Sequence, residues 1–156
     1  MVKNNVTRML ESRGISFQAY ELPKEKLSGV EAASFLGVEP ERVYKTIVVR
    51  RENRGKPVLA LVPAPREVNL KSLSRALGEK KVHLATQKEA EKLTGLQVGG
   101  ISPLALLDRR FDVIIDSSAQ TMGDIYISGG QRGINIRLST MSLVELTAAN
   151  LAQISR

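Results

Sequence analysis

Two apolar runs, Val43–Arg51 (VYKTIVVRR) and Pro57–Val62 (PVLALV), stand only a short charged turn apart, RENRGK. Both are short and rich in β-branched residues, and the gap is too brief for a crossover helix. The spacing therefore predicts an antiparallel hairpin. That excludes a regular alternation of strand and helix around a doubly wound parallel sheet. The rest of the chain fits the same reading. Helices are predicted over Asn4–Arg13, stopped by Gly14, over Ser28–Leu36, stopped by Gly37, and over Leu70–Leu77, capped by Asn69 and stopped by Gly78. Thr86 opens a further helix over Gln87–Leu93, with Glu89 completing a capping box, and Ser142 opens the last one, with Glu145 three residues later. Strands are predicted at Ile15–Tyr20, Lys81–Ala85, Asp112–Asp116, Asp124–Ser128 and Ile134–Leu138. The expected fold is α+β, with a mixed sheet of about seven strands curled toward a barrel and helices packed outside.

With 156 residues, 42% hydrophobic and 25% charged, the chain has ordinary globular composition and reads as one domain over residues 1–156. Lysine and arginine number 23 against 16 acids, a net charge of +7, which favours polyanionic partners such as nucleic acid. Cysteine is absent, which excludes disulfides, thiolate nucleophiles and cysteine–zinc sites. The single histidine, His83, excludes a multi-histidine metal site, and no cofactor or metal is expected. The longest apolar stretch, Val58–Ala64, is too short to span a bilayer, and the N-terminus has no signal-peptide core. The reading is a soluble cytoplasmic protein with no membrane partner.

Three features invite a functional reading. Lys45 shares a predicted strand face with Val43, Ile47 and Val49. A lysine there either snorkels from the strand end or reaches into a pocket, where its ammonium would suit a phosphate, a carbonyl oxygen or a developing oxyanion. Gly99-Gly100-Ile101-Ser102-Pro103 is either a plain turn after a helix or a place where a ligand approaches backbone N–H groups. Ser128-Gly129-Gly130-Gln131-Arg132-Gly133 looks like a phosphate cradle but lies between two strands, so it reads as a wide hairpin loop, either structural or a substrate rim. The basic hairpin tip (Arg50, Arg51, Arg54, Lys56) is either a solvated turn or a phosphate contact. His83, Asp112 and Asp116 read as structural, the two aspartates as solvated strand ends. Three Tyr, three Phe and no Trp disfavour a stacking platform for single strands.

Taken together, VYKTIVV at 43–49, VGGISPL at 98–104 and YISGGQRG at 126–133 resemble the YbaK/ProX family, free-standing relatives of the editing insertion of bacterial prolyl-tRNA synthetase. ISFQAYE at 15–21 and RALGEKKVHLA at 75–85 match in order, so the resemblance covers nearly the whole chain. It implies a mixed, barrel-like sheet. It also implies hydrolysis of the ester of a mischarged tRNA, supplying discrimination that a synthetase pocket cannot reach alone. By the same resemblance Lys45 is the active-site lysine and Thr46 helps shape the pocket. Gly99, Gly100, Ile101, Ser102 and Pro103 form the loop facing the aminoacyl group, while Ser28, Ser128, Gly129 and Gly130 border the pocket and Tyr20 stands near its entrance. Backbone N–H groups of Gly100 or Ile101 would cup the carbonyl oxygen, and water or a substrate group would attack.

Cysteinyl-tRNA deacylases of the family tend to carry an aromatic residue near Ser28-Gly29 and an acid where Asn135 stands. The amino acid removed is therefore open among cysteine, alanine, serine and other small residues, with Cys-tRNA(Pro) first. The implied partners are the tRNA acceptor end and prolyl-tRNA synthetase. Two other readings remain: a non-catalytic module of the same fold that binds tRNA or a synthetase, and a hydrolase of free aminoacyl esters.

Overall fold

The structure is a computed structural model that describes residues 2–53 and 55–156. Arg54 of the predicted basic tip lies outside the described residues. Among the described residues, eight strands form two sheets. The smaller has the order β1-β7-β6, from Phe17–Glu21, Ile134–Ser139 and Asp124–Ser128, all antiparallel. The larger has the order β4-β2-β3-β5-β8, from Val82–Leu84, Tyr44–Arg51, Val58–Pro63, Asp112–Asp116 and Asn150–Ala152. The predicted hairpin is β2–β3, in register from Tyr44 opposite Pro63 to Val49 opposite Val58. β3 and β5 run parallel, as do β5 and β8.

Local chemistry sets most helix ends. α1 (Asn5–Ser12), α2 (Gly29–Leu36) and α4 (Gln87–Thr94) each begin with a capping box, from Asn4 with Thr7, Ser28 with Glu31 and Thr86 with Glu89. α3 (Leu70–Leu77) is capped by Asn69 and stopped by left-handed Gly78. The last long helix, α6 (Thr140–Thr147), starts earlier than predicted. Ser139 is its cap, accepting from the Ser142 N–H, so Ser142 is already inside the first turn. A single-turn helix, α5 (Ala119–Met122), and β8 were not expected from the sequence.

The sheets do not close into a barrel. Closure would require β2 to pair along β6, but the two meet at one bridge, Val43 with Tyr126. On the same edge β4 pairs with β2 only at Val49–Arg51. Residues 44–47 of β2 thus present an unpaired backbone edge, and the gap beside it is a cavity.

The largest apolar core lies between the sheets and joins Tyr44, Val48, Leu59, Leu61 and Ile115 to Ile125, Ile127, Ile136 and Leu138. A second layer packs Ile47, Val49, Val58, Ala60 and Val62 against Leu73 of α3. A third, small cluster seats Ala33 of α2 on Val43, Ala64 and Tyr126. Val43, Ile47 and Val49 therefore share a strand face without sharing one environment.

The charges at the hairpin base serve structure. Arg51 pairs with Glu79 at 3.1 Å and Asp112 at 2.9 Å, and Arg50 pairs with Glu89 at 3.2 Å. His83 sits beside Glu52 at 3.6 Å. Asp116 departs from the sequence reading, because it is a buried anchor rather than a solvated strand end. One carboxylate oxygen accepts the N–H groups of Ile154 and Ser155 at 2.9 and 3.0 Å, and the other accepts the Ser118 hydroxyl at 2.5 Å. With that hydroxyl committed, the Tyr44 phenol 2.8 Å away is the donor to Ser118. Burial pushes the Asp116 carboxyl up, but the hydrogen bonds from Ser118, Ile154 and Ser155 outweigh it and hold the pKa below its ordinary value. Burial raises the Tyr44 phenol, partly offset by its bond to Ser118. The network fastens the start of β2 and the chain end to β5.

Candidate active site

The gap beside β2 is a cavity of about 380 Å³. Its walls are the open edge of β2, the start of α2, residues around Ala85 and Ala90, the glycine-containing loop after α4, and the ends of β6 and β7. Most of the surface is apolar, from Leu22, Leu27, Val43, Ile47, Ala64 and Ile101. Glu25 is the carboxylate in the lining and Lys45 the cation.

Lys45 stands at the junction of two recesses. It lines the cavity and also, with Ile47, a neighbouring recess of about 490 Å³ that includes Lys71, Arg156, Glu67 and Leu84. Lys45 is half-buried and has no hydrogen bond or ion pair among the described residues. The reason is positional. It faces Val62 in the β2–β3 register, at the end of β2 that β4 does not reach, and among the described residues neither Glu25 nor Glu67, which line the two recesses, forms an ion pair with it.

The structure brings six of the proposed site residues into the lining: Ser28, Lys45, Thr46, Gly99, Ile101 and Ser128. Ser28 combines two tasks, since its hydroxyl accepts from the Glu31 N–H at the start of α2. Gly99 has φ +97°, a conformation that favours glycine, and places the loop against the Arg132 side chain. Neither Gly99 nor Ile101 has a partner for its N–H among the described residues.

The other six lie outside the lining, each for a visible reason. Gly100 gives its N–H to Gln97 at 2.8 Å, so it is not free to cup a carbonyl oxygen. Its α-carbon is pressed against the opposite loop: an added Cβ would stand 2.8 Å from Gln131 backbone atoms. Ser102 is fully buried and accepts from the Leu104 N–H, capping a short 3-10 turn that begins at Pro103. Gly129 gives its N–H to Ile134 at 2.8 Å and closes the β6–β7 hairpin. Gly130, with φ +93°, fits against Val6 and Ala105. Tyr20 turns away: its hydroxyl donates to Gln18 at 2.6 Å, and its ring packs 5.8 Å from that of Tyr126.

The two glycine loops do converge, as one joined wall. Besides the Gly100–Gln131 contact, Arg132 donates to the Val98 carbonyl at 2.8 Å. The site also contains Glu25, which motif reading did not select, and Asn135, which the family resemblance marked as a pocket position without making it a site residue. Glu25 carried no signal, lying in a loop of mixed charge. Asn135 did: it sits in INIRL between Ile134 and Ile136, opposite Tyr20 on one side and Ser128 on the other, and is buried. Among the described residues, Asn135 Oδ1 and Thr46 Oγ1 are buried without a hydrogen-bond partner, and both residues line this cavity.

Comparison with known proteins identifies the family. The family described as "Aminoacyl-tRNA editing domain" matches residues 24–146. The chain is 34% identical over 155 residues to "Putative Cys-tRNA(Pro)/Cys-tRNA(Cys) deacylase EbsC" of Enterococcus faecalis, covering 98% of this chain and 93% of that one. It is 29% identical over 117 residues to "Proline--tRNA ligase" of Caldicellulosiruptor bescii, covering 75% of this chain and 20% of the ligase. Among solved structures it matches "Crystal structure of a putative trans-editing enzyme for prolyl tRNA synthetase" with a TM-score of 0.83 and 26% identity, covering 100% of this chain and 99% of that one. Matched along most of its length, with its glycine loops joined beside a lysine-edged cavity, the chain belongs to the aminoacyl-tRNA editing domain family, in its YbaK-like branch.

Proposed function

We propose that this protein is a trans-editing deacylase that hydrolyses the ester between a small amino acid and the 3′ end of a mischarged tRNA, with Cys-tRNA(Pro) the first substrate to consider. The observation that carries the reading is the position of Lys45 between an apolar recess of amino-acid size and a second recess bearing Lys71 and Arg156. An aminoacyl ester joins an apolar or small side chain to a polyanion, and Lys45 stands where the two halves would meet.

The aminoacyl group enters the cavity and the terminal nucleotide lies toward the basic recess. Lys45 holds the phosphate or the ester carbonyl by charge, a role suited to an ammonium with no acid committed to it. The N–H groups of Gly99 and Ile101 are the loop donors available to a developing oxyanion, in place of Gly100. The ester is already activated, so positioning and charge stabilisation suffice, and water or a substrate group makes the attack. The net charge of +7 supports backbone contacts to the acceptor stem that weaken with salt. Likeness to a segment of proline–tRNA ligases supports tRNA(Pro) as the carrier, and a prolyl-tRNA synthetase as a protein met on the same tRNA.

The test is release of amino acid from a panel of mischarged tRNAs under turnover conditions. Catalytic release from at least one tRNA carrying a small residue is the expected result. Tight tRNA binding without release from any member would make the protein a binding module. Strong cleavage of free amino acid esters, indifferent to salt and competing tRNA, would remove RNA from the substrate.

A further inference from the structure

We propose that Thr46 and Asn135 form a polar floor that selects a small side chain ending in a hydroxyl, with a thiol second, over one ending in a methyl group. This rests on the deacylase reading and revises its substrate order, placing serine ahead of the cysteine considered first above.

Among the described residues, Thr46 Oγ1 and Asn135 Oδ1 are the buried side-chain oxygens without a partner, and both residues line the same cavity. Asn135 is only 5% exposed. An orphaned buried polar group is costly, and the cost is lifted when a ligand supplies the missing bond. The other polar side chains of the lining, Glu25, Ser28, Tyr44, Lys45, Gln87 and Ser128, make no hydrogen bond to either oxygen, and the rest of the walls, including Val43, Ile47, Ala64 and Ile101, are apolar.

The substrate α-ammonium is a poor candidate for this floor. The floor oxygens are neutral, so a cation brought to them would lose its hydration without gaining a counter-charge. Glu25 offers that charge elsewhere in the lining, and Lys45 repels a second cation near it. A hydroxyl matches the pair atom for atom, donating to the Asn135 carbonyl while accepting from Thr46. A thiol donates and accepts weakly, and a methyl group leaves both oxygens unpaired. Sites built to bond a substrate hydroxyl reject the analogue lacking it far more strongly than apolar sites reject a size change.

The experiment compares kcat/KM on one tRNA charged with serine, cysteine or alanine, for wild type, Thr46→Val and Asn135→Leu. Wild type is expected to prefer serine to alanine by about 10-fold or more, with cysteine between, and each variant to bring the serine-to-alanine ratio near one. Thr46→Val keeps the side-chain shape, so it decides the matter alone should Asn135→Leu not fold. A wild-type preference for alanine, or a ratio unchanged by Thr46→Val, overturns the proposal while leaving deacylation intact. Equal losses on serine and alanine would assign the floor to a group common to both and also overturn it. If no ester is cleaved, the deacylase reading fails, and the floor is then tested by binding of 3′-seryl and 3′-alanyl amides of adenosine. Tighter seryl binding, lost in Thr46→Val, supports it, and equal binding contradicts it.

Discussion

Asp116→Asn is expected to destabilise the protein by about 1–3 kcal/mol. Asn keeps the shape but turns one acceptor into an NH2 group facing donors. With its NH2 toward Ile154 and Ser155 it strands both their N–H groups; turned the other way it strands the Ser118 N–H, while the Ser118 hydroxyl reverses to accept from the amide and donate to Tyr44. Each donor left unpaired in the interior costs about 1–3 kcal/mol. Denaturant unfolding measures the loss. Asp112→Asn is the contrast, since Asp112 is about half exposed at its Arg51 pair and its removal should cost about 1 kcal/mol or less.

The pH dependence follows from the same carboxylate. The Asp116 pKa is depressed in the folded state, so its contribution is complete above the unfolded-chain value of about 3.9. It declines as the pH falls below that value and is gone once the pH passes below the folded pKa. Wild-type stability should fall through this acid window, and Asp116→Asn should lack that part of the fall.

Gly100→Val should separate the two glycine loops. The strain is steric, because the atoms an added Cβ would meet at 2.8–2.9 Å are Gln131 and Arg132 backbone atoms, which cannot rotate away. Overpacking of this kind costs about 1–3 kcal/mol, and a displacement near 1 Å in a positioning loop can cost about 100-fold in rate. The expected outcome is a fall in deacylation larger than the stability loss explains, read from kcat/KM beside urea unfolding. Gly14→Ala separates the two causes. Gly14 has φ +68° with nothing near its Cβ position, so only the conformational cost of about 1 kcal/mol should appear, with activity retained.

What the sequence revealed was local. The hairpin followed from two β-branched runs and a short charged gap, and the capping box of Thr86 with Glu89 showed in its spacing. β8 was hidden because Asn150–Ala152 carries no strand pattern of its own; it is held parallel to β5 by Asp116 bonding to the chain that follows. The cap of α6 fell on Ser139 because β7 runs into the helix without a loop, leaving Ser142 within its first turn. The barrel failed over an edge that does not pair, a non-local fact that strand lengths do not encode. In the site, alternation marked Lys45 as out of place. The glycine motifs left a plain turn and a ligand loop both open, and the structure shows Gly100, Gly129 and Gly130 in close packing that holds the wall in position. Asn135 carried the signal of a polar residue inside an isoleucine strand.

The most direct measurement of the central claim is single-turnover release of amino acid from one mischarged tRNA, with wild type and Lys45→Ala side by side and both shown folded. Lys45 has no hydrogen-bond or ion-pair partner among the described residues to lose, so its removal should leave stability nearly unchanged. The account predicts a rate about 100-fold lower for Lys45→Ala, the usual loss when one preorganised electrostatic donor is removed. Equal rates for the two proteins would contradict it.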